Sequence, residues 1–248
     1  MRNVLLLTAT IAPPTGVPSL RRTDPVHRLQ DYANALDFYV HLPHRVFDGI
    51  VFAENSSSDL GVLRRLVDRA GAAQQVEFLS FDGLDHPPSY GRGYGEFKLV
   101  DHAMRHARLL QGHAFVWKCT GRYIVRNIER LVAHRPPVDL YCHMRNYPYR
   151  LCELFLLSFN RHGYEAAIQG ACRHLRNDLV AGVHSNEEML FRRLVDGLPQ
   201  DVTVERRFRS TPVVDGIRGW DNSRYGARWG PKVVLRQAVH AVAPWVSI

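Results

Sequence analysis

The chain has 248 residues, of which 46% are hydrophobic and 23% are charged, and its formal net charge is +8. This length and composition are typical of a globular protein with a substantial core, and they argue against an intrinsically disordered chain. The positive charge favours a negatively charged partner, which can be nucleic acid, an anionic membrane face or a phosphorylated small molecule.

Three successive units, each a strand followed by a helix, are predicted in the first 110 residues. The strands are indicated by apolar runs, and the helices by apolar residues three and four positions apart. Their ranges are 4–10 and 28–39, 47–55 and 59–70, and 76–81 and 97–110. This alternation predicts a Rossmann-type α/β fold, with a mainly parallel sheet, helices on both faces and ligands beyond the carboxyl ends of the strands.

The second half of the chain is predicted to extend the same domain. A fourth strand, residues 114–123, is apolar until Lys118 and polar afterwards. Periodicity does not decide whether residues 151–160 form a strand or a helix. Further strands are predicted at 138–143 and 202–208, and further helices at 124–133, 164–175 and 189–198.

The cysteines and the apolar runs indicate the compartment. The four cysteines are widely spaced and form no C-x-x-C pair, so we expect free thiols in a reduced compartment. The apolar residues 4–9 are too few for a signal-peptide core. No stretch approaches the roughly 20 apolar residues of a membrane span. We therefore expect a cytoplasmic protein, attached to a membrane at most by its surface.

A glycine-rich segment separates the third strand from the third helix. Gly91, Gly93 and Gly95 alternate with other residues, and glycines let the backbone approach a bulky anion closely. The following helix would add the unpaired N–H groups of its first turn, and Arg92 adds a formal charge. We predict a phosphate-binding loop here, while noting that such turns also occur for steric reasons alone.

Basic residues stand where the fourth strand ends. Lys118 and Arg122 occupy this place, and no D-x-D or similar acidic pair is found there. With Arg92, they are expected to project into one crevice and to neutralise a nucleotide diphosphate without a metal ion. The alternative is that they are solvated charges beside a turn. None of the 13 histidines has a recognisable ligand spacing, so neither a metal nor a cofactor is predicted.

Six short blocks, in order over almost the full length, resemble a group of bacterial surface-polysaccharide glycosyltransferases (capsule, O-antigen or exopolysaccharide) with a GT-A-like fold. The blocks are Arg22-Thr23-Asp24-Pro25 with Arg28-Leu29 and Asp31-Tyr32, Ala53-Glu54-Asn55-Ser56, Glu77-Phe78-Leu79-Ser80-Phe81, Gly91-Arg92-Gly93-Tyr94-Gly95-Glu96, Lys118-Cys119-Thr120-Gly121-Arg122-Tyr123 and Pro244-Trp245-Val246-Ser247-Ile248. The resemblance implies transfer of a sugar from a nucleotide-sugar donor to a hydroxyl of a glycan or lipid-linked glycan acceptor.

The resemblance also implies roles for individual residues on the donor side. It assigns the nucleotide to Thr8, Thr10, Arg22, Asp24 and Arg28, and the base or ribose to Glu54 and Asn55. Gly93, Gly95 and Glu96 would shape the donor pocket, with Glu96 facing the donor. Lys118, Thr120 and Arg122 would take the place of the metal-binding motif of other GT-A enzymes. The structural alternative for each is a helix cap or a salt bridge: Asp24 can cap the first helix, and Arg28 can pair with Asp31.

An inverting transfer needs a carboxylate that removes the proton of the acceptor hydroxyl. Glu187 and Glu188 stand at the start of a predicted helix, where GT-A enzymes usually place this base. Helix N-termini favour carboxylates in any case, so one of the pair can serve as a cap. We expect Glu187 or Glu188 to be the base and keep Asp215 in reserve.

The two halves of the single domain are expected to divide the work. Residues 1–135 form the nucleotide-sugar-binding half, and residues 136–248 form the acceptor-binding half with a basic, aromatic C-terminal tail. The tail suits contact with an anionic membrane surface, or it packs over the sheet. Two other functions stay open: a nucleic-acid-binding basic module, although no nucleic-acid motif is found, and a nucleotidyltransferase that makes a sugar nucleotide.

Overall fold

A seven-stranded sheet forms the centre of the computed structural model, which describes residues 2–112, 114–179 and 187–225. The strands in chain order are β1 (Arg2–Ala9), β2 (Gly49–Glu54), β3 (Val76–Ser80), β4 (Ala114–Thr120), β5 (Ile124–Val125), β6 (Leu140–Arg145), β7 (Leu151–Phe159), β8 (Val204–Glu205) and β9 (Val214–Asp215). The order across the main sheet is β3-β2-β1-β4-β7-β6-β8, and β5 and β9 form a separate antiparallel ribbon.

Six of the seven strands run in one direction. β1 pairs in parallel with β2 and β4, and β2 pairs in parallel with β3. β7 is antiparallel to both β4 and β6, and β8 is parallel to β6. The carboxyl ends of β1, β2, β4 and β6 therefore share one edge of the sheet. The prediction of a single-domain α/β fold with a mainly parallel sheet is confirmed.

Helices cover both faces of the sheet. They are α1 (Pro25–Val40), α2 (Gly61–Arg69), α3 (Gly91–His106), α4 (Ile128–Ala133), the short α5 (Arg161–Gly163), which continues as a π-helical turn (Tyr164–Ile168), and α6 (Glu187–Asp196). Successive side chains of a strand point to opposite faces. Accordingly Val4 and Leu6 pack with α3 and α6 in one core cluster, whereas Leu5 and Leu7 pack with α1, α2 and α4 in the other.

The structure settles one open element and corrects four others. Residues 151–159 form strand β7, and seven of these nine residues are buried. The predicted glycine loop is instead the first turn of α3, which begins at Gly91. Hydrogen bonds with β9 keep Ile124–Val125 extended, so α4 begins only at Ile128. The predicted helix over 164–175 consists of π and 3-10 turns, and the predicted strand over 202–208 pairs only at β8.

Three further predictions concern the C-terminal tail, the cysteines and a membrane span. The C-terminal tail 226–248, including the last block of the resemblance, lies outside the described residues. All four cysteines are buried free thiols. No helix in the described part of the chain has both the length and the apolar composition that a bilayer span requires.

Candidate active site

A cleft of about 990 Å³ opens at the carboxyl ends of β1, β2 and β4. Its walls include the start of α3, the start of α6, strands β6 and β7, and parts of the segment 211–225. The site residues predicted from the sequence that line it are Thr8, Thr10, Arg28, Asn55, Arg92, Gly95, Glu96, Thr120, Arg122, Glu187 and Glu188. The predicted residues that the structure places outside its lining are Arg22, Asp24, Glu54, Gly93, Lys118 and Asp215.

Glu96 is a fixed anion in the floor of this cleft. Its Oε1 accepts hydrogen bonds from the hydroxyls of Thr8 at 2.7 Å and Thr120 at 3.0 Å, and lies 2.6 Å from Nζ of Lys118. Burial alone would raise the pKa of the carboxyl, but Lys118 and the two hydroxyls lower the pKa below its ordinary value. Glu96 therefore stays ionised at neutral pH.

Lys118 lies behind the wall of the cleft. Its side chain is 1% exposed, and Nζ also donates to the backbone carbonyl of Leu154. This corrects the expectation that Lys118 projects into the crevice, because the ammonium is occupied by Glu96 from the neighbouring helix. Its effect on a ligand in the cleft would pass through Glu96.

Glu54 ties together the loops that follow β1 and β2. The side chain is fully buried, and its carboxylate accepts hydrogen bonds from the backbone N–H groups of Ile11, Ser56 and Ser58 at 3.1, 2.9 and 3.1 Å. These contacts satisfy a buried charge within the protein itself. Glu54 thus shapes the edge of the cleft from behind.

Arg28 holds the loop between β1 and α1. Its guanidinium donates to the carbonyl oxygens of Thr10 at 2.7 Å and Arg22 at 2.8 Å, and to the hydroxyl of Tyr32 at 3.1 Å. Arg22 forms a bidentate ion pair with Asp31, and both N–O distances are 3.0 Å. The pairing of Arg28 with Asp31 that the sequence suggested is therefore made by Arg22 instead.

Two other predicted donor residues have local partners. Asp24 is the N-cap of α1 and accepts a hydrogen bond from the backbone N–H of His27 at 3.0 Å. Asn55 accepts from the hydroxyl of Thr10 at 2.7 Å and donates to the carbonyl of Gly95 at 3.3 Å. Asn55 thereby links β1, β2 and α3 at the cleft, whereas Asp24 stabilises the start of a helix at its margin.

Arg122 joins the end of β4 to the segment 216–225. Its guanidinium donates to the carbonyl of Ile217 at 2.7 Å and to the hydroxyl of Tyr123 at 3.2 Å, and the side chain is 7% exposed. A Cβ at position 219 would lie 2.5 Å from this guanidinium, so a side chain there would displace the end of Arg122. Arg122 lines the cleft while it anchors this segment.

The start of α6 forms the opposite wall. Oε1 of Glu187 lies 2.6 Å from the guanidinium of Arg92, which is 30% exposed. Gly93 lies directly beneath, and a Cβ built there would be 2.5 Å from the Cβ of Glu187. The glycine therefore lets α6 pack against the first turn of α3 and brings Glu187 and Glu188 to the cleft.

Glu188 is the carboxyl whose pKa is most clearly raised. Burial, followed by the charges of Glu153 and Glu187, raises the pKa from 4.5 to about 8, against the opposing effect of Arg145 and Arg92. Such a carboxyl exchanges its proton near neutral pH, as an acid or base catalyst must.

Sequence reasoning missed Glu153 and Arg145, which form an ion pair on β7 and β6 and line the cleft. The available signal was that Glu153 is the single charged residue in the apolar run 151–159. A lone carboxylate in a buried strand needs a partner, and here the neighbouring strand supplies it.

Asp215, the reserve candidate for the base, lies in β9 away from the cleft lining. Its carboxylate is paired with the guanidinium groups of Arg126 at 2.6 Å and Arg224 at 3.1 Å. Burial would raise the pKa of Asp215, but the two arginines lower it below its ordinary value. Asp215 therefore secures the β5–β9 ribbon.

Within residues 2–112, 114–179 and 187–225, no three histidine, cysteine, aspartate or glutamate side chains are grouped so that they could hold a metal ion. The polar side chains in the cleft lining include those of threonine, asparagine, histidine, tyrosine, arginine and glutamate residues.

Neither a protein-family profile nor a curated protein matches the sequence. Many solved structures are similar, and three of them illustrate the range. A protein assigned as a nucleotide-diphospho-sugar transferase from Desulfovibrio desulfuricans G20 has a TM-score of 0.44 and 13% identity, with 97% of this chain and 96% of that chain covered. A nucleoside-diphosphate-sugar pyrophosphorylase from Vibrio cholerae RC9 has a TM-score of 0.43 and 12% identity, with 82% and 91% covered. TarS of S. aureus has a TM-score of 0.42 and 11% identity, with 98% and 40% covered. Each TM-score is below 0.5, so these similarities assign no activity to this chain.

Proposed function

We propose that this chain is a glycosyltransferase that moves a sugar from a nucleotide-sugar donor to a hydroxyl of a glycan acceptor. The observation that carries the proposal is that two carboxyl groups whose pKa values are shifted in opposite directions line one cleft. Glu96 is held ionised at the ends of β1 and β4, and Glu188 on α6 has a pKa of about 8. The cleft lies where open α/β sheets bind their ligands.

The donor half of the cleft suits a nucleotide diphosphate. Thr8, Thr10 and Asn55 offer hydroxyl and amide groups at the ends of β1 and β2, while Arg92 and Arg122 place guanidinium groups in the lining. Guanidinium groups recognise phosphate oxygens in a bidentate way. We propose that these arginines neutralise the charge of the leaving diphosphate in place of a carboxylate-bound metal.

The acid–base step is assigned to Glu188. The acceptor hydroxyl oxygen would attack the anomeric carbon, its proton would pass to the ionised Glu188, and the bond to the diphosphate would break with both electrons leaving on the nucleotide. A carboxylate with a raised pKa is a stronger base than an ordinary one. Glu187 is assigned to positioning, because its carboxylate is paired with Arg92.

The test begins with donor binding. Thermal shift is measured with a panel of UDP-, GDP-, CMP- and dTDP-sugars, with and without EDTA, and the donor that stabilises the protein is used for turnover. We expect stabilisation that EDTA does not abolish. Glu188→Gln should retain donor stabilisation and lose turnover by about 10²-fold or more. Near-normal turnover of Glu188→Gln would remove it as the base, and stabilisation by no donor would refute the proposal.

The products separate sugar transfer from the nucleotidyltransferase alternative. A glycosyltransferase releases a nucleotide from the sugar nucleotide and joins the sugar to the acceptor. A nucleotidyltransferase instead releases pyrophosphate from a nucleoside triphosphate and a sugar phosphate. Formation of pyrophosphate without sugar transfer would replace the proposed function with this one.

A further inference from the structure

Two large aromatic rings are left half-exposed in the lining of the cleft. Trp220 and Tyr149 are each 50% exposed, and both line the cleft. Aromatic side chains contribute most to stability when they are buried, so half-exposed rings in a concave site suit contact with a ligand. Neither ring is used in the proposed chemistry of the donor.

Tyr149 lies in the turn between β6 and β7, which is held against α6. The guanidinium of Arg192 donates to Oδ1 of Asn146 at 3.1 Å, and Arg150 lies 3.4 Å from the carboxylate of Asp196. Because β6 is parallel to β1 and β4, this turn is at the same edge of the sheet as the rest of the cleft. These contacts with α6 hold in place the turn that carries the ring of Tyr149.

Trp220 lies in the segment 216–225, which hydrogen bonds hold at the margin of the cleft. The backbone N–H groups of Arg21 and Arg22 donate to the carbonyl of Gly219 at 2.8 and 3.0 Å. The guanidinium of Arg218 lies 4.9 Å from the ring centre of Trp220 and pairs with Asp221 at 2.7 Å. This ring is therefore also held by a network of local contacts.

The segments that carry the two rings are attached to β4 and β6, the two strands that flank β7. The segment that carries Trp220 is attached to the end of β4 through Arg122, and Tyr149 follows β6. Both rings line the same cleft as Glu153 and Arg145 of β7 and β6.

Polar groups for sugar hydroxyls lie on the same strands. The ion pair of Arg145 and Glu153 lines the cleft, and the two side chains are 22% and 14% exposed. A guanidinium donates hydrogen bonds and a carboxylate accepts them, so the pair can bind adjacent hydroxyl groups. Glu153 also acts electrostatically on Glu188, which places this polar pair beside the proposed base.

We propose that Tyr149, Trp220 and the Arg145–Glu153 pair bind the sugar ring of the acceptor that carries the attacking hydroxyl. A pyranose has apolar C–H faces and a polar rim, which match aromatic walls and a charged pair. A nucleobase would also stack on these rings, but the Arg145–Glu153 pair lines the same cleft and Glu153 acts on the proposed base Glu188, which favours the acceptor sugar. This inference rests on the proposed function.

The test compares two tyrosines of one turn. Tyr149→Ala removes a ring from the cleft, whereas Tyr147→Ala removes a 72% exposed ring outside the cleft lining. The probes are octyl glucoside, octyl galactoside and octyl N-acetylglucosaminide, used below their micelle concentrations. Their binding is measured by saturation-transfer NMR, and their KM is measured in the transfer reaction. Trp220→Ala and the ring-preserving Tyr149→Phe complete the set, and melting curves show that each variant is folded.

We expect Tyr149→Ala and Trp220→Ala to weaken binding of the best octyl glycoside about tenfold or more, with the stabilisation by donor unchanged. Tyr147→Ala and Tyr149→Phe should match the wild type. Unchanged glycoside binding in both Ala variants, or loss of donor stabilisation instead, would overturn the assignment. If the glycosides bind as expected but no sugar is transferred from any donor, the proposed function fails while the sugar site stands.

Discussion

Replacement of Gly93 by alanine is the sharpest test of how the two helices build the cleft. Gly93 lies in the first turn of α3, beneath the start of α6. A methyl group there would be 2.5 Å from the Cβ and 3.3 Å from the Cγ of Glu187, and 3.4 Å from the Cβ of Leu175. Non-bonded carbon atoms approach to about 3.5–4.0 Å, so the start of α6 would have to move by about 1 Å.

Two opposing effects determine the stability of Gly93→Ala. Alanine favours a helix over glycine by about 1 kcal/mol, whereas overpacking of a close contact costs about 1–3 kcal/mol. We expect a net loss of about 0–2 kcal/mol in the free energy of unfolding. The loss of turnover should be larger, about 10²-fold, because a shift of 1 Å misplaces Glu187 and Glu188 relative to Arg92.

The assay combines chemical denaturation with turnover on the donor that stabilises the protein. Gly95→Ala is the matched control for stability, because it lies in the same helix and the nearest atom to its added methyl group would be at 3.5 Å, an ordinary contact. We expect Gly95→Ala to be as stable as the wild type or more stable. If Gly93→Ala gained stability as Gly95→Ala does and kept full turnover, the close packing of α6 on α3 at Gly93 would be refuted.

Three further predictions concern buried charge, pH and a helix cap. Lys118→Met leaves Glu96 without its cation and should cost about 3–5 kcal/mol in urea denaturation, whereas Lys98→Met at a more exposed pair should cost less than about 1 kcal/mol. The raised pKa of Glu188 means that the native state holds more protons than the unfolded state between pH 4.5 and 8. The stability that protonated Glu188 contributes is therefore complete below pH 4.5 and is lost as the pH rises to 8. The Tm of Glu188→Gln should therefore gain on the wild type by about 2–4 °C or more between pH 5 and 8, and a constant difference would contradict this pKa. Asp24→Ala should cost about 1 kcal/mol without altering stabilisation by donor, and a lost donor shift would return Asp24 to the binding site.

Local patterns were sufficient for the scaffold. The apolar run of β1 and the helical spacing within α1 and α2 depend on neighbours in the chain, so strand, helix and their alternation could be predicted. Alternation of strands and helices in turn allowed few topologies other than a mainly parallel sheet. The polar residues that end β1, β2 and β4 followed from the same reasoning, and most of them line the cleft.

The direction of each charged side chain was decided only by tertiary structure. Lys118 and Glu96 are 22 positions apart in sequence, yet their charged groups lie 2.6 Å apart, and the ammonium therefore points away from the cleft. Likewise, Asp215 on β9 pairs with Arg224, and Glu153 on β7 pairs with Arg145 on β6. The strand pairings of β9 and β7 could not be predicted from the sequence. A buried charge takes the nearest group that can satisfy it, and which group is nearest depends on how distant segments pack.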